Sequence, residues 1–277
     1  MDHTENSTTQ VFGDCTATVV CDSVCTGIRI VSVECVYPRS IHSEVLRHRV
    51  FSNGASSSRA TPVTTILKDA NYVPRYWTLN QPGMVGKDGA TEEQVKAAQT
   101  IWNNVRAYAC GRAQVLADLG FHKQHINRML EPFSYIRHLI TATDWDNFFT
   151  LRLAPDADPV IQDLARAIKE AMTASTPESN FIHLPYVSSD DLKSLMHLGF
   201  GPGYDTAQKV SAARCARVSY MKHNGKKPTV EEDMALFERL EKSGHWSPME
   251  HTAKFINSSV RFANFQGWQS LRNYLGH

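Results

Sequence analysis

The segment Arg47-His48-Arg49-Val50-Phe51-Ser52-Asn53-Gly54-Ala55-Ser56-Ser57-Ser58-Arg59 holds three Arg, one His and four Ser within thirteen residues. Arginine presents a fixed fork of donors that matches phosphate oxygens. Serine hydroxyls and loop backbone N–H groups add further donors. The composition describes an anion site, best suited to a phosphate, or else a solvated basic turn. A second concentration lies late in the chain: Ala216-Arg217-Val218-Ser219-Tyr220, then His245-Trp246-Ser247-Pro248-Met249-Glu250-His251. Two His and one Glu in seven residues raise the question of metal ligation. His245 and His251 are six apart, which does not put them on one helical face, so no metal site is expected. A hydrogen-bonding site for a cofactor, or a capped loop leading into a strand, accounts for the pattern. His122 and His125 suit a helix surface or a hydrogen-bonding role better than a metal.

Regular elements must bring these segments together. Residues 16–20 and 27–37 are rich in β-branched side chains and read as strands, with Gly27 turning the chain and Pro38 ending the second. The stretch after it suits a helix capped by Ser40. Residues 52–58 read as loop, and loop continues through Pro62, Pro74 and Pro82 to Gly89. Thr91 and Gln94 form a capping box for a long helix closed at Gly120. Its apolar stripe, Trp102 and Tyr108 included, reads as core. Shorter helices are expected over 122–130 and 143–151. Asp158-Pro159 is an N-cap followed by proline at the first helical position, and Ile161, Leu164, Ile168 and Met172 form the stripe behind it. Residues 173–204 read as connection, 206–218 as helix. A second capping box, Thr229 and Glu232, opens a helix ending at Gly244. The tail from 252 to 262 reads as strand, and the aromatic residues after it suit a subunit interface or a cofactor cover. Strands and long helices are segregated, which points to an α+β fold. Residues 1–14 read as a loose arm and 15–277 as a single domain.

The 277 residues carry 29 Lys plus Arg against 28 Asp plus Glu, a net charge of +1. That balance argues against tracking along a nucleic-acid backbone. Six scattered Cys do not make a disulfide framework and read as free thiols in a reducing compartment. The polar start MDHTENSTTQ is no signal peptide, and no apolar run is long enough to span a bilayer, so a cytoplasmic protein is expected.

At this level of detail the motifs resemble those of flavin-dependent (alternative) thymidylate synthases. The first segment is similar to that family's Arg-His-Arg signature ending in Ser-x-Arg. The second pair is similar to its Ala-Arg-Val-Ser-Tyr/Phe and His-x-Thr/Ser-Pro-x-Glu-His motifs. Arg128-Met129-Leu130-Glu131-Pro132 resembles Arg-x-x-Leu-Pro, and Asn147-Phe148-Phe149-Thr150-Leu151-Arg152 resembles Asn-Phe-x-x-Leu-Arg. In the family the Ser-Tyr and Glu-His motifs precede Arg-His-Arg; here they follow it, so the order looks circularly permuted. The resemblance implies a mostly antiparallel sheet with long helices, and a homotetramer whose active sites are shared between subunits. It implies a deoxypyrimidine monophosphate, dUMP above all, as substrate, with FAD, methylene-tetrahydrofolate and NADPH. Carried over residue by residue, it implies that Arg47, Ser57, Arg59, Arg128 and Arg152 face the nucleotide, with Ser57 and Arg152 nearest the chemistry. Arg47, His48, Arg49, Asn147, Ser219, His245, Ser247 and Glu250 would contact FAD.

Several positions depart from the family. Glu44 stands where a Gln is usual and belongs to the expected nucleotide site. Ala55 replaces a Glu, Thr143 falls near a usual Arg, and Asp156 and Asp158 replace a His and a Gln. A carboxylate can accept a hydrogen bond from a cytosine amino group, whereas uracil offers only an acceptor there. A dCMP-directed C5 hydroxymethylase is therefore the competing enzyme reading, and compensation for the permutation is the plain one. From another class, a non-catalytic nucleotide- or nucleic-acid-binding protein on the same fold competes; failure to take up flavin would favour it.

Overall fold

A computed structural model describes residues 8–197, 204–218 and 228–277. The strands, in chain order, are β1 (Thr9–Phe12), β2 (Cys15–Cys25), β3 (Ile28–Pro38), β4 (Ser52–Ala55), β5 (Tyr135–Ala142), β6 (Glu178–Ser179), β7 (Ile182–His183), β8 (Ala253–Phe255), β9 (Arg261–Phe262), β10 (Phe265–Gln266) and β11 (Trp268–Ser270). The helices are α1 (His42–Val45), α2 (Val63–Asp69), α3 (Glu92–Asp118), α4 (Lys123–Ile126), α5 (Asp146–Arg152), α6 (Pro159–Ala174), α7 (Ser189–His197), α8 (Tyr204–Ala216), α9 (Val230–Lys242) and α10 (Leu271–Tyr274). The main sheet runs β1-β2-β3-β5-β4, with β6 added alongside β2; all its pairs are antiparallel except β2–β6. A second sheet runs β11-β8-β7.

The β2–β3 hairpin follows from the sequence pattern. Thr26 and Gly27 both take positive φ, 46° and 81°, and close a two-residue turn that matches the twist of the flanking strands. Alternation then sorts the side chains. Val31, Val33, Cys35, Ile136 and Ile140 face α6, whose Ile161, Leu164 and Ile168 are fully buried against them. Each such side chain contributes about 1.5–3 kcal/mol by leaving water. Asp158 caps α6 as expected, accepting from the backbone N–H groups of Val160 (2.8 Å) and Ile161 (3.3 Å). On the opposite face of the sheet, Leu139 and Val20 meet Cys215 from α8 and Val218 just after it, and Ile30 meets Ala253 and Trp268 from the small sheet. The sheet is thus covered on both sides, an α+β arrangement with a mainly antiparallel core.

Both capping boxes form, at Thr91–Gln94 and at Thr229–Glu232. Other expectations change. Residues 9–12 of the expected arm are β1, because their backbone completes the free edge of β2. Ser52–Ala55, expected as loop, is a strand paired with β5, and β5 itself has no counterpart in the sequence reading. Loop was expected over 63–69, where α2 stands, and connection over 173–204, which holds β6, β7 and α7. The expected helix after Pro38 shrinks to a 3-10 turn and the single turn α1, with no side-chain cap from Ser40. The apolar stripe of α3 is only partly core. Trp102 packs inward and donates to the Tyr72 carbonyl (2.9 Å), but Tyr108 is 70% exposed. All six cysteines are free thiols. Among the described residues no helix is long and apolar enough to cross a membrane.

A buried ionic cluster holds α8 to its neighbours. Arg214 donates Nε to Asp233 (2.8 Å) and Nη1 to Asp191 (2.7 Å), while Arg217 donates Nη2 to Asp233 (2.8 Å). Asp233 has no solvent exposure. Its removal would leave two guanidiniums facing an apolar interior without their shared counter-charge. Asp233→Ala is expected to lower unfolding free energy by about 3–5 kcal/mol in urea titrations; a loss under about 1 kcal/mol would show that the cluster is not stabilising α8.

Candidate active site

The Arg47–Arg59 segment crosses the edge of the main sheet, and its side chains reach in two directions. Toward α5, Arg152 donates Nε to His48 Nε2 (2.9 Å) and Nη2 to the Glu44 carbonyl (3.2 Å), with Nη1 3.5 Å from the Glu44 carboxylate. Glu44, His48 and Arg152 are thereby brought together, although 108 residues separate the first from the last. The His48 ring sits edge-on to Phe148, with centroids 4.9 Å apart, and beside Phe51. This aromatic surround and the Arg152 charge lower the His48 pKa to about 4, so its Nε2 accepts and its Nδ1 carries the proton.

On the other side, Gly54 lies under His251. A Cβ built on Gly54 would stand 2.8 Å from His251 Nε2, so only glycine allows this approach. His251 Nδ1 is 2.9 Å from the Thr141 hydroxyl, which is 2.5 Å from the Ser32 hydroxyl. Ser32 is 2.8 Å from His183 Nε2, and His183 Nδ1 is 3.0 Å from Ser23. This buried polar chain crosses β2, β3, β5, β7 and the segment before β8. It fixes where the 3-10 turn Ser247–Glu250 packs against β4. The two sequence-distant motif groups therefore meet.

The remaining expected site residues are mostly at the surface. Arg47, Arg49, Arg59 and Arg128 are exposed, and their side chains form no hydrogen bond or ion pair among the described residues. Asn127 Nδ2 donates to the carbonyls of Ser58 (2.7 Å) and Thr61 (2.9 Å), which clamps the turn carrying Ser57 and Arg59 onto the turn carrying Arg128. Ser58 donates to Glu131 at 2.6 Å. Ser57, Asn147 and Ser247 are exposed. His245 is also exposed, with Nδ1 2.7 Å from the Ser243 hydroxyl. Glu250 is half-buried and pairs with Arg272. Ser219 lies outside the described residues. A cavity of about 800 Å³ opens beside Ser56 and Val218, with Arg39 and Arg137 in its wall. None of the expected site residues that are described lines it.

Of the acids that depart from the family pattern, Asp158 is committed to the α6 cap, Asp156 is exposed, and Glu44 alone stands beside Arg152. Sequence reasoning did not single out His183, Thr141, Ser32 or Asn127. None carries a spacing signal; each matters through a partner at least 66 residues away. His251 stood inside a motif and could have been singled out on that ground.

With this geometry in view, comparison with known proteins is direct. The family described as thymidylate synthase complementing protein matches residues 30–178. The chain belongs to that family. The matched region contains β3 to β5, α5 and α6, and it ends before the late His245–His251 motif. No curated protein matches the chain significantly. Among solved structures, a UMP/dUMP methylase, PolB from Streptomyces cacaoi, bound with 5-Br UMP, is similar with a TM-score of 0.46 and 17% identity, over 60% of this chain and 96% of that one.

Two predictions follow from the packing around β4. Gly54→Ala must displace His251 and is expected to cost about 1–3 kcal/mol, read from thermal or urea unfolding; wild-type stability would contradict the close approach. Burial also lowers the pKa of His183 and of His251 to about 3. These rings are neutral in the folded protein but take up protons near pH 6.5 once unfolded. Stability should be fully present above about pH 6.5 and fall steadily toward pH 4, and His183→Gln should shrink the slope by about one proton. An unchanged slope in that variant would mean that His183 is protonated in the fold.

Proposed function

We propose that the protein transfers a one-carbon unit from methylene-tetrahydrofolate to C5 of a deoxypyrimidine monophosphate, dUMP in the first place, with FAD as cofactor and NADPH as reductant. The observation that carries the reading is the Glu44–His48–Arg152 cluster, together with four exposed arginines that are unpaired among the described residues, in a chain of the thymidylate synthase complementing family. Unpaired guanidiniums are the donor set that phosphate-bearing ligands require, and both FAD and a nucleoside monophosphate carry such groups. Arg47, His48, Arg49, Asn147, Ser219, His245, Ser247 and Glu250 would hold the flavin. A flavin bound there would supply hydride-transfer and one-carbon chemistry.

The protein's own part is binding and polarisation. Arg59 and Arg128 would hold the phosphate, and Ser57 would position the base. Arg152 has five N–H donors. Three point at His48 and Glu44, which fixes the guanidinium and leaves two free for a ligand. A fixed cation of this kind stabilises negative charge that spreads over the pyrimidine as C5 becomes nucleophilic. Burial raises the thiol pKa of Cys15, Cys21, Cys35 and Cys215, away from the thiolate a nucleophile needs. Covalent attack by one of these thiols is therefore not part of the proposal. The late motifs packing on β4 are consistent with a permuted order, because a site built from distant segments survives relocation of the chain ends.

Glu44 keeps the dCMP reading specific. Among the described residues its carboxylate is the acid paired with Arg152, and it would accept from an exocyclic amino group. The deciding assay supplies methylene-tetrahydrofolate, NADPH and FAD with dUMP or dCMP, and identifies the product by mass. Methylated dUMP is expected, and hydroxymethylated dCMP would transfer the proposal to the competing substrate; no turnover of either would end both readings. Arg59→Ala and Arg152→Ala should each weaken nucleotide binding at least about tenfold by calorimetry, the loss of one charge-assisted contact. Unaltered affinity in both variants would remove these residues from the site.

A further inference from the structure

Helix α3 has a second apolar face that none of the described residues covers. Trp102, Ala109, Cys110, Ala113 and Leu116 pack inward against α2, α4 and the turn after α4. On the outward side, Ile101, Val105, Tyr108, Arg112, Val115 and Leu119 recur at steps of four, three, four, three and four residues. The five apolar members of this seam are between 41% and 70% exposed. Arg112 is exposed as well and lies over the Tyr108 ring at 5.4 Å. Alternating steps of three and four are the spacing by which one helix packs along another. The exposed positions flanking the seam are mostly small or uncharged, Ala97, Thr100, Asn104, Ala107, Gly111 and Gln114, with Asp118 the charged one at the C-terminal end. A face meant for water would carry charge along its whole length.

We propose that this seam is an interface between two copies of the chain, formed by antiparallel pairing of α3 with α3. The choice of occupant rests on the order of residues along the seam, which is its own complement about a two-fold axis near residue 110. In that pairing Ile101 meets Leu119 of the partner subunit, Val105 meets Val115 of the partner subunit, and Tyr108 meets Arg112 of the partner subunit. Aliphatic groups meet aliphatic groups at both ends. The single charge in the seam meets an aromatic face, a favourable cation–π arrangement. Parallel pairing would instead set Arg112 against its own copy in a desolvated seam, two like charges at contact distance. A two-fold interface of this kind uses the same patch on both subunits. The inference stands on α3 alone and does not depend on the proposed reaction.

The experiment uses the full-length protein with Cys110 replaced by Ala, so that α3 carries no thiol of its own. Sedimentation equilibrium should give an assembly whose mass falls by half in the Val105→Glu variant, with helical circular dichroism unchanged. Separately, Val105→Cys and Val115→Cys proteins are mixed under mild oxidation. A disulfide-linked dimer should form in the mixture at a level well above that of either variant alone. Three results would overturn the proposal: an unchanged assembly mass in Val105→Glu, self-linking by Val105→Cys alone, which marks a parallel pair, or no link in the mixture, which marks another occupant. Because Val105 and Val115 are exposed in the protomer, neither cysteine replacement disturbs its core.

Discussion

The packing of His251 onto Gly54 is the contact on which the arrangement depends. It joins the C-terminal region to the edge strand that carries the arginine-rich segment. A side chain at position 54 would meet the imidazole at 2.8 Å, so the contact requires glycine in the strand. Glycine lowers strand preference, which is why this strand is invisible to propensity. The chain tolerates it because β4 pairs along β5 from Ser52 to Ala55 and because His251 covers it. The imidazole in turn is anchored through Thr141 and Ser32 to His183, so one hydrogen-bonded series spans both sheets.

That series places polar groups where water is absent, and the physical chemistry is demanding. A buried imidazole is stable only when neutral and bonded. The depressed pKa values of His183 and His251 express this condition. His251 Nε2 has no hydrogen-bond partner among the described residues, a cost the surrounding packing must offset. Across the small sheet, the Arg214–Asp191–Asp233–Arg217 cluster applies the same rule to charges: each ion buried at α8 has an opposite charge within 3 Å. Both devices lie on the side of the sheet away from α6. They organise the late part of the chain around the site instead of forming it.

The candidate site shows a division between fixed and free charge. Arg152 is held by His48 and Glu44, while Arg47, Arg49, Arg59 and Arg128 are exposed and unpaired among the described residues. A held cation can act on charge that develops in a reaction; free cations suit a ligand that arrives already charged. Net charge conceals this arrangement. A total of +1 leaves local arginine density in place because the balancing acids are engaged elsewhere: Asp158 at a helix cap, Asp191 and Asp233 inside the α8 cluster.

The sequence by itself determined the elements whose signals are local. Capping boxes at Thr91 and Thr229, the Asp158-Pro159 helix start and the Gly27 turn depend on contacts within a few residues, and all stand in the structure. His48 stood out by residue type and spacing, whereas Glu44 and Arg152 were singled out only through the family resemblance. What only the tertiary structure decided depends on partners far along the chain. Ser52–Ala55 becomes a strand because β5 offers its edge. Residues 9–12 become a strand because β2 does. Tyr108 faces outward although it belongs to an apolar stripe, since periodicity shows that a helix has an apolar face without saying what covers it. Likewise His183 and Thr141 acquire their roles only when β3, β5 and β7 are brought together, because a hydrogen bond between distant residues leaves no spacing in the sequence from which it could be read.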